Sequence, residues 1–390
     1  MGRHRGRPPT VSNMPISLRQ FLFLIATDQR QGFLANILKA FLWLLSWAYY
    51  LGLSCILLGY RAGLFRKHKL PRPVISVGNI TWGGVGKTPF VIWLVEKLKA
   101  QNLKPVILTR GYRAQNSHGE KISDEAKMLE DVLKDVPVLV GKNRAASARQ
   151  FLKTQRADVF ILDDGFQHWR LYRDMDIVLI DTTNPWGNQQ LLPRGILREP
   201  LSSLRRAQAV ILTKTDLGQE NIAPIKNCLI ELCTTNSYHS AIGKEKVNNK
   251  ISSNLLVAET VHKAVSLEDI RNASTLELSS LKNKRIASLC SIGNPKSFEA
   301  TLKNLGAQVI KSFVFMDHHT YTNDEIEEIV QECLKENIST IVTTQKDAVK
   351  LACLADIFNE RINIFCLHID ISFVQREDEF LERIQHIIRP

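Results

Sequence analysis

The run Thr81-Trp82-Gly83-Gly84-Val85-Gly86-Lys87-Thr88-Pro89 sets three glycines beside a lysine and a hydroxyl residue. That combination suits the gripping of a phosphate chain. Glycines let successive backbone N–H groups turn inward as an anion nest at a helix N-terminus. Lys87 would then reach the β- and γ-phosphates of a nucleotide, and the Thr88 hydroxyl would help hold Mg²⁺. One position departs from the G-x-x-x-x-G-K-[ST] spacing: Thr81 stands where the first glycine is expected. The competing reading is a glycine-rich turn with a chance Gly-Lys-Thr. A phosphate loop also predicts an acid at the end of a neighbouring buried strand. Asp158-Val-Phe-Ile-Leu-Asp163-Asp164 supplies it. Asp163 has the placement of a carboxylate that binds Mg²⁺ directly or through water. Asp164 is either a second group at the metal or a turn residue.

Chemistry of this kind needs a rigid frame. Val74–Ile80 reads as a buried strand before the loop, and Phe90–Ala100 as a helix after it. Further strand-like runs at Pro105–Thr109, Asp176–Ile180 and Ala209–Thr213, mostly separated by helix-like stretches, predict an α/β fold. The expected core is a P-loop NTPase-like parallel sheet with helices on both faces. Beyond about residue 245 the chain turns polar and weakly patterned. Strands then resume at Arg285–Ser291, Val309–Phe315, Thr340–Thr344 and Ile362–His368, with a helix at Ile326–Leu334. The domain expectation is therefore 1–72 as a basic extension with a membrane-associated helix, 73–245 as the nucleotide-binding domain, and 246–390 as a smaller α/β domain. The last helix has the option of packing back on the first domain. Two short groups, Thr213-Lys214-Thr215-Asp216 and Thr344-Gln345-Lys346-Asp347, resemble base-reading turns of GTPases and read equally well as polar turns after strands.

Charge is distributed unevenly. The chain carries 51 Lys+Arg against 39 Asp+Glu, a formal +12. Residues 1–72 hold eleven of those bases and a single acid, Asp28, so the remainder is nearly neutral. A nucleic-acid enzyme would spread its basic residues around the working cleft, so no nucleic-acid partner is expected. Within the basic end, residues 40–60 form 21 residues without a formal charge, about 31 Å as a helix, the thickness of a bilayer's hydrocarbon core. Trp43, Trp47, Tyr49, Tyr50 and Tyr60 favour the lipid–water boundary. A buried core helix is the alternative. Arg61, Arg66, Lys67, Lys69 and Arg72 make the C-terminal flank the more positive one, which places the chain beyond residue 72 on the cytoplasmic side. Seven cysteines without a CxxC pair point to reduced thiols rather than to zinc or a disulfide framework.

VGNITWGGVGKTP, LTRGYR (108–113), DEAKML (124–129), ILDDGFQHWRL (161–171), LLPRGILREPL (191–201) and LTKTD (212–216) occur in that order. Together they make the chain resemble the tetraacyldisaccharide 4'-kinase family, over roughly residues 33–350. The resemblance implies a membrane-associated enzyme at the cytoplasmic face of the bacterial inner membrane. It would move the γ-phosphoryl of ATP, with Mg²⁺, to the 4'-hydroxyl of an acylated glucosamine disaccharide 1-phosphate, giving lipid IVA. It also implies two α/β domains with the active site in a cleft. By motif, Thr81, Gly83, Gly84, Val85, Gly86, Lys87 and Thr88 form the phosphate loop, and Thr88, Asp163 and Asp164 the metal site. Asp124 matches the catalytic acid, although the family's flanking Gly and Pro are replaced by Ser123 and Ala126. His318, after Asp317, matches the catalytic histidine. A carboxylate set against a sugar hydroxyl can take its proton as the new bond forms.

Arg110, Arg113, Arg144, Arg194 and Arg198 are candidates for substrate phosphates, since a guanidinium grips a phosphate through parallel hydrogen bonds. Each reads singly as a solvated surface arginine. A membrane-anchored P-loop GTPase or ATPase switch is the rival function, favoured by GGVGKT and LTKTD. No obligate protein partner is evident from the sequence.

Overall fold

A computed structural model of the chain describes residues 21, 24–25, 27–110, 124–239, 255–317, 319–358 and 361–389. Its first long element is helix α1 (Phe33–Arg61, 29 residues). The helix starts earlier than the charge-free window because Phe33, Leu34 and Ile37 continue the apolar pattern. Lys39 interrupts that pattern, and its ammonium pairs with Asp28 at 2.8 Å. A core helix would be buried along most of one face. In α1 only Leu42, Ser46, Leu53 and Gly59 are buried, while Phe33, Leu44, Trp47, Leu51 and Leu58 are exposed. The helix is long and apolar enough to cross a membrane.

After α1 the chain enters the frame of the phosphate loop. Strand β1 (Val74–Gly78) is buried at every position, and helix α2 (Lys87–Ala100) follows the loop. Next come β2 (Pro105–Thr109), helix α3 (Asp124–Val132), β3 (Val138–Val140), helix α4 (Arg144–Phe151) and β4 (Val159–Asp163). Strands β5 (Met175–Asp181) and β6 (Ala209–Thr213) and helix α5 (Ile222–His239) precede the long β7 (Leu256–Asp269). Strands β3, β2, β4, β1, β5, β6 and the first half of β7 lie side by side, all parallel. Parallel strands covered on both faces must be apolar throughout, and β1, β2, β4, β5 and β6 are fully buried runs.

The chain divides into two compact units, one built on residues 24–263 with 370–390 and the other on residues 264–369. In the second unit β8 (Thr275–Leu276) pairs antiparallel with the end of β7. Strand β9 (Arg285–Cys290), helix α6 (Pro295–Asn304), β10 (Gln308–Val314), helix α7 (Asn323–Lys335), β11 (Thr340–Thr344) and helix α8 (Gln345–Leu351) come next. They end in β12 (Asn363–Gln375), and β10, β9, β11 and β12 form a parallel array in that order. Thr344 caps α8, and the buried Asp347 carboxylate accepts from the Ser291 backbone N–H at 2.8 Å. The Thr344–Asp347 group thus ties β11 to the end of β9.

The last helix, α9 (Glu377–Ile388), belongs to the larger unit. Phe380 and Ile384 enter its core beside Phe90, Val91 and Leu94 of α2, and Phe373 packs against Trp93 with ring centroids 4.6 Å apart and the rings tilted by 31°. Each such fully buried side chain contributes about 1.5–3 kcal/mol, so α2, which begins with Lys87, is held along its length.

Candidate active site

The loop between β1 and α2 owes its shape to two glycines and a threonine. Gly83 and Gly86 have φ of 131° and 89°, which side chains with a Cβ rarely adopt. At Gly86 a Cβ would also lie 2.5 Å from Nε2 of His262. Thr81, by contrast, is outside the left-handed region and needs no glycine. It is buried and bridges to Leu197, while the Trp82 N–H donates to the Ile196 carbonyl at 2.6 Å. The missing first glycine is therefore replaced by pairing with the 191–198 loop.

Lys87 and the acid pair meet at the mouth of this loop. β4 lies directly beside β1, with Asp163 in register with Val77. Asp163 is buried and accepts from Thr109 Oγ1 at 3.3 Å. Asp164 has φ of 46°, and its carboxylate receives Lys87 Nζ at 3.3 Å and the Arg198 guanidinium at 2.7 and 3.1 Å. Burial would raise the Asp164 pKa, but Lys87 and Arg198 outweigh it and hold the carboxyl well below the usual range. Asn79 Oδ1 accepts from both cations, from Lys87 at 3.1 Å and from Arg198 at 3.3 Å. Arg144 is only 3% exposed, and its Nε has no hydrogen-bond partner. Burial lowers its pKa, with the charges of Asp163 and Asp164 pulling the other way. A buried guanidinium with an unused donor, close to two acids, is suited to an incoming anion.

This is a phosphate-binding loop with its lysine, a strand-end acid pair and converging arginines. The sequence profile of the family described as tetraacyldisaccharide-1-P 4'-kinase matches residues 38–389. The chain belongs to this family. The tetraacyldisaccharide 4'-kinase of Halothermothrix orenii is 34% identical over 382 residues, 93% of this chain and 96% of its own. That of Syntrophus aciditrophicus is 36% identical over 312 residues, 75% and 79% of the two chains. A crystal structure of LpxK from Aquifex aeolicus in complex with ATP is 28% identical, with a TM-score of 0.63, and covers 90% of this chain and 99% of that one. Family membership makes the chain a kinase with a P-loop α/β fold, as its motif order implied.

Not every expected site residue joins the cluster. Lys87 and Arg198 both pair with Asp164, and the charges of Arg110, Asp163 and Asp164 act on Arg144 beside them. Thr88 follows Lys87 in the first turn of α2. Arg194 turns away, its guanidinium bound by both oxygens of Asp28 at 2.9 and 3.1 Å. Arg113 and His318 lie outside the described residues; Asp124 opens α3. Sequence reasoning passed over Asn79 and Glu199. Each is a fully buried polar residue, and Gln167 Nε2 links them, donating to the Asn79 carbonyl at 3.0 Å and to Glu199 Oε1 at 3.1 Å. The available signal was a polar residue set directly after a buried strand, or beside a site arginine.

The residues present suit a nucleotide-borne Mg²⁺. Among the described residues no group of three or more His, Cys, Asp or Glu could hold a metal alone. Mg²⁺ at nucleotide sites takes one or two carboxylates, with water and phosphate oxygens completing its shell, and Asp163, Asp164 and Thr88 meet that requirement.

His168, in the turn after Asp164, carries a pH dependence. Burial, followed by the charges of Arg144 and Arg173, pushes its pKa down to about 4. Protonation is thus harder folded than unfolded, where the pKa is about 6.5. The unfolded chain binds the extra proton between those values, so stability declines as pH falls from about 6.5 to about 4 and is unaffected above that window. His168→Gln should flatten this part of the curve, read as urea midpoints at pH 7 and pH 5.

Proposed function

We propose that this chain transfers the γ-phosphoryl group of ATP to the 4'-hydroxyl of an acylated glucosamine disaccharide 1-phosphate, forming lipid IVA in lipid A biosynthesis. The observation that carries the reading is the convergence of Lys87, Asp164, Arg198 and Asn79 at the glycine loop, in a chain whose family acts on this lipid. Lys87 and the loop N–H groups bind the β- and γ-phosphates and neutralise charge on the transferring group. Arg198 and the buried Arg144 orient phosphate oxygens, and Arg110 and Arg113 share the LTRGYR motif that follows β2. Thr88, Asp163 and Asp164 would hold Mg²⁺, which when bound neutralises charge across the β- and γ-phosphates. The 4'-oxygen attacks phosphorus, its proton passes to Asp124, and the bond to the β-phosphate oxygen breaks to release ADP. The acid–base roles rest with Asp124 and His318 on their motifs.

The lipid substrate requires access from a membrane. The exposed apolar face of α1, with the exposed Arg61 at its end and Arg66, Lys67, Lys69 and Arg72 beyond it, suits an anionic inner leaflet, so α1 is assigned to anchor the enzyme at the cytoplasmic face. A cavity of about 320 Å³, lined by Trp43, Trp47, Tyr50, Leu191, Leu197 and Pro200, opens between α1 and the Arg198 loop and suits an acyl chain. The rival switch reading is disfavoured because Lys214 of LTKTD is buried against Asp181 and the phosphate loop rather than offered to a base.

Labelled ATP, Mg²⁺ and the acylated disaccharide, incubated with the purified protein, test the proposal. Label should move to the lipid, with little ATP consumed in its absence. Asp124→Asn should lower the transfer rate by about 10²–10⁴-fold, the range of general base catalysis. Rapid hydrolysis without lipid, or near-normal transfer by the variant, would sink it.

A further inference from the structure

Helix α1 is fastened to the phosphate site by polar groups that membrane anchoring alone does not require. Ser46 is 6% exposed in a helix whose other residues are mostly open. Its hydroxyl is shared between the Leu191 carbonyl at 2.9 Å and the Leu42 carbonyl of its own helix at 3.0 Å, and it accepts from the Arg194 N–H at 3.0 Å. One turn on, the Tyr49 hydroxyl donates to the Arg198 carbonyl at 2.7 Å. Ahead of the helix, Asp28 grips Arg194 and Lys39 together. All these ties end on the 191–198 loop or on α1 itself.

That loop is in turn part of the phosphate site. Its Leu197 bridges Thr81, its Ile196 carbonyl receives the Trp82 N–H, and the Arg198 N–H donates to the Ile80 carbonyl at 2.7 Å. The Arg198 guanidinium then holds Asp164 and Asn79, the two partners of Lys87. A shift of α1 relative to the 191–198 loop would therefore move both the first half of the glycine loop and the arginine that positions its acid.

We infer that Ser46 and Tyr49 are positioning residues that couple the docking of α1 on an anionic lipid surface to the order of the nucleotide-phosphate site. This rests on the membrane and kinase readings above and adds a linkage to them. A bilayer fixes α1, the fixed helix holds the 191–198 loop, and the ordered loop meets ATP with less freedom left to lose. Reciprocity then requires ATP to tighten membrane binding by the same factor.

The full-length protein tests this through ATP affinity, measured without lipid substrate, in detergent and on phosphatidylglycerol vesicles. The wild type should bind ATP at least about fivefold more tightly on vesicles, the low end of ordinary coupling between sites. Ser46→Ala/Tyr49→Phe should lose that gain while its affinity in detergent stays within about twofold of wild type. Tyr49→Phe alone keeps the ring and the fold and should lose part of the gain. A residue that only stabilises the fold would change unfolding midpoints and leave the vesicle dependence intact. Wild-type affinity indifferent to vesicles, or variants with the full wild-type gain, would overturn the inference. Failure of the wild type to phosphorylate the disaccharide would instead overturn the kinase reading, whatever the vesicles do.

Discussion

Lys87→Met is expected to lower kcat/KM for phosphoryl transfer by about 10³-fold while leaving the protein folded. The lysine begins α2, and its ammonium lies between Asn79 and Asp164 at the mouth of the glycine loop. Removing one neutral donor from a charge-stabilising site costs about 10²–10³ in rate. A full positive charge at the transferring phosphoryl belongs at the upper end of that range. Stability should suffer little, because Arg198 still pairs with both oxygens of Asp164 and the core face of α2 is untouched. Lys87→Arg should not rescue activity, since a broad planar guanidinium does not occupy the place of a compact ammonium. Steady-state kinetics beside an unfolding midpoint decide the matter. A rate within tenfold of wild type would remove Lys87 from the mechanism.

The parts of this site that could be read in the sequence are those in which function and local structure share one stretch of chain. The glycine loop with Lys87 and Thr88, and the strand ending in Asp163 with Asp164 next to it, each state their element and an expected chemistry within a few residues. What stayed hidden depends on pairing between distant segments. Thr81 looked like a defect in the loop until Leu197 supplied its partner. Arg194 and Arg198 stand in one motif with the same residue type, yet one serves Asp28 and the other Asp164. No local pattern separates them; the distant Asp28, ahead of α1, does. Strand β7 escaped notice for a different reason. Leu256, Ala258 and Thr260 are buried in alternation, but His262 and Lys263 then break the polar–apolar rhythm as the strand passes from one unit to the next.

Lys214→Met should produce the largest loss of stability among these substitutions. Its ammonium is nearly inaccessible, 2.5 Å from the equally buried Asp181 carboxylate, and also donates to the Gly84 carbonyl in the phosphate loop at 3.2 Å. Breaking a buried pair from one side takes the countercharge away from a desolvated carboxylate and costs about 3–5 kcal/mol. Thr183, bonded to Asp181 through its N–H and hydroxyl, softens that loss. For a unit of this size the midpoint should fall by roughly 6–20 °C. Adding Asp181→Asn should restore much of it, because the stranded charge is then gone. ATP affinity should remain weakened by several-fold in both variants, since Gly84 has lost its support. The neighbouring His262, whose pKa burial and Lys214 push down to about 3, stays neutral and cannot take over the lysine's role. Preference for ATP over GTP separates the two readings of LTKTD: an inward brace leaves the ratio unchanged, whereas a base-reading lysine would shift it. A changed ratio, or a double variant no more stable than Lys214→Met, would show that the pair does not act as this brace.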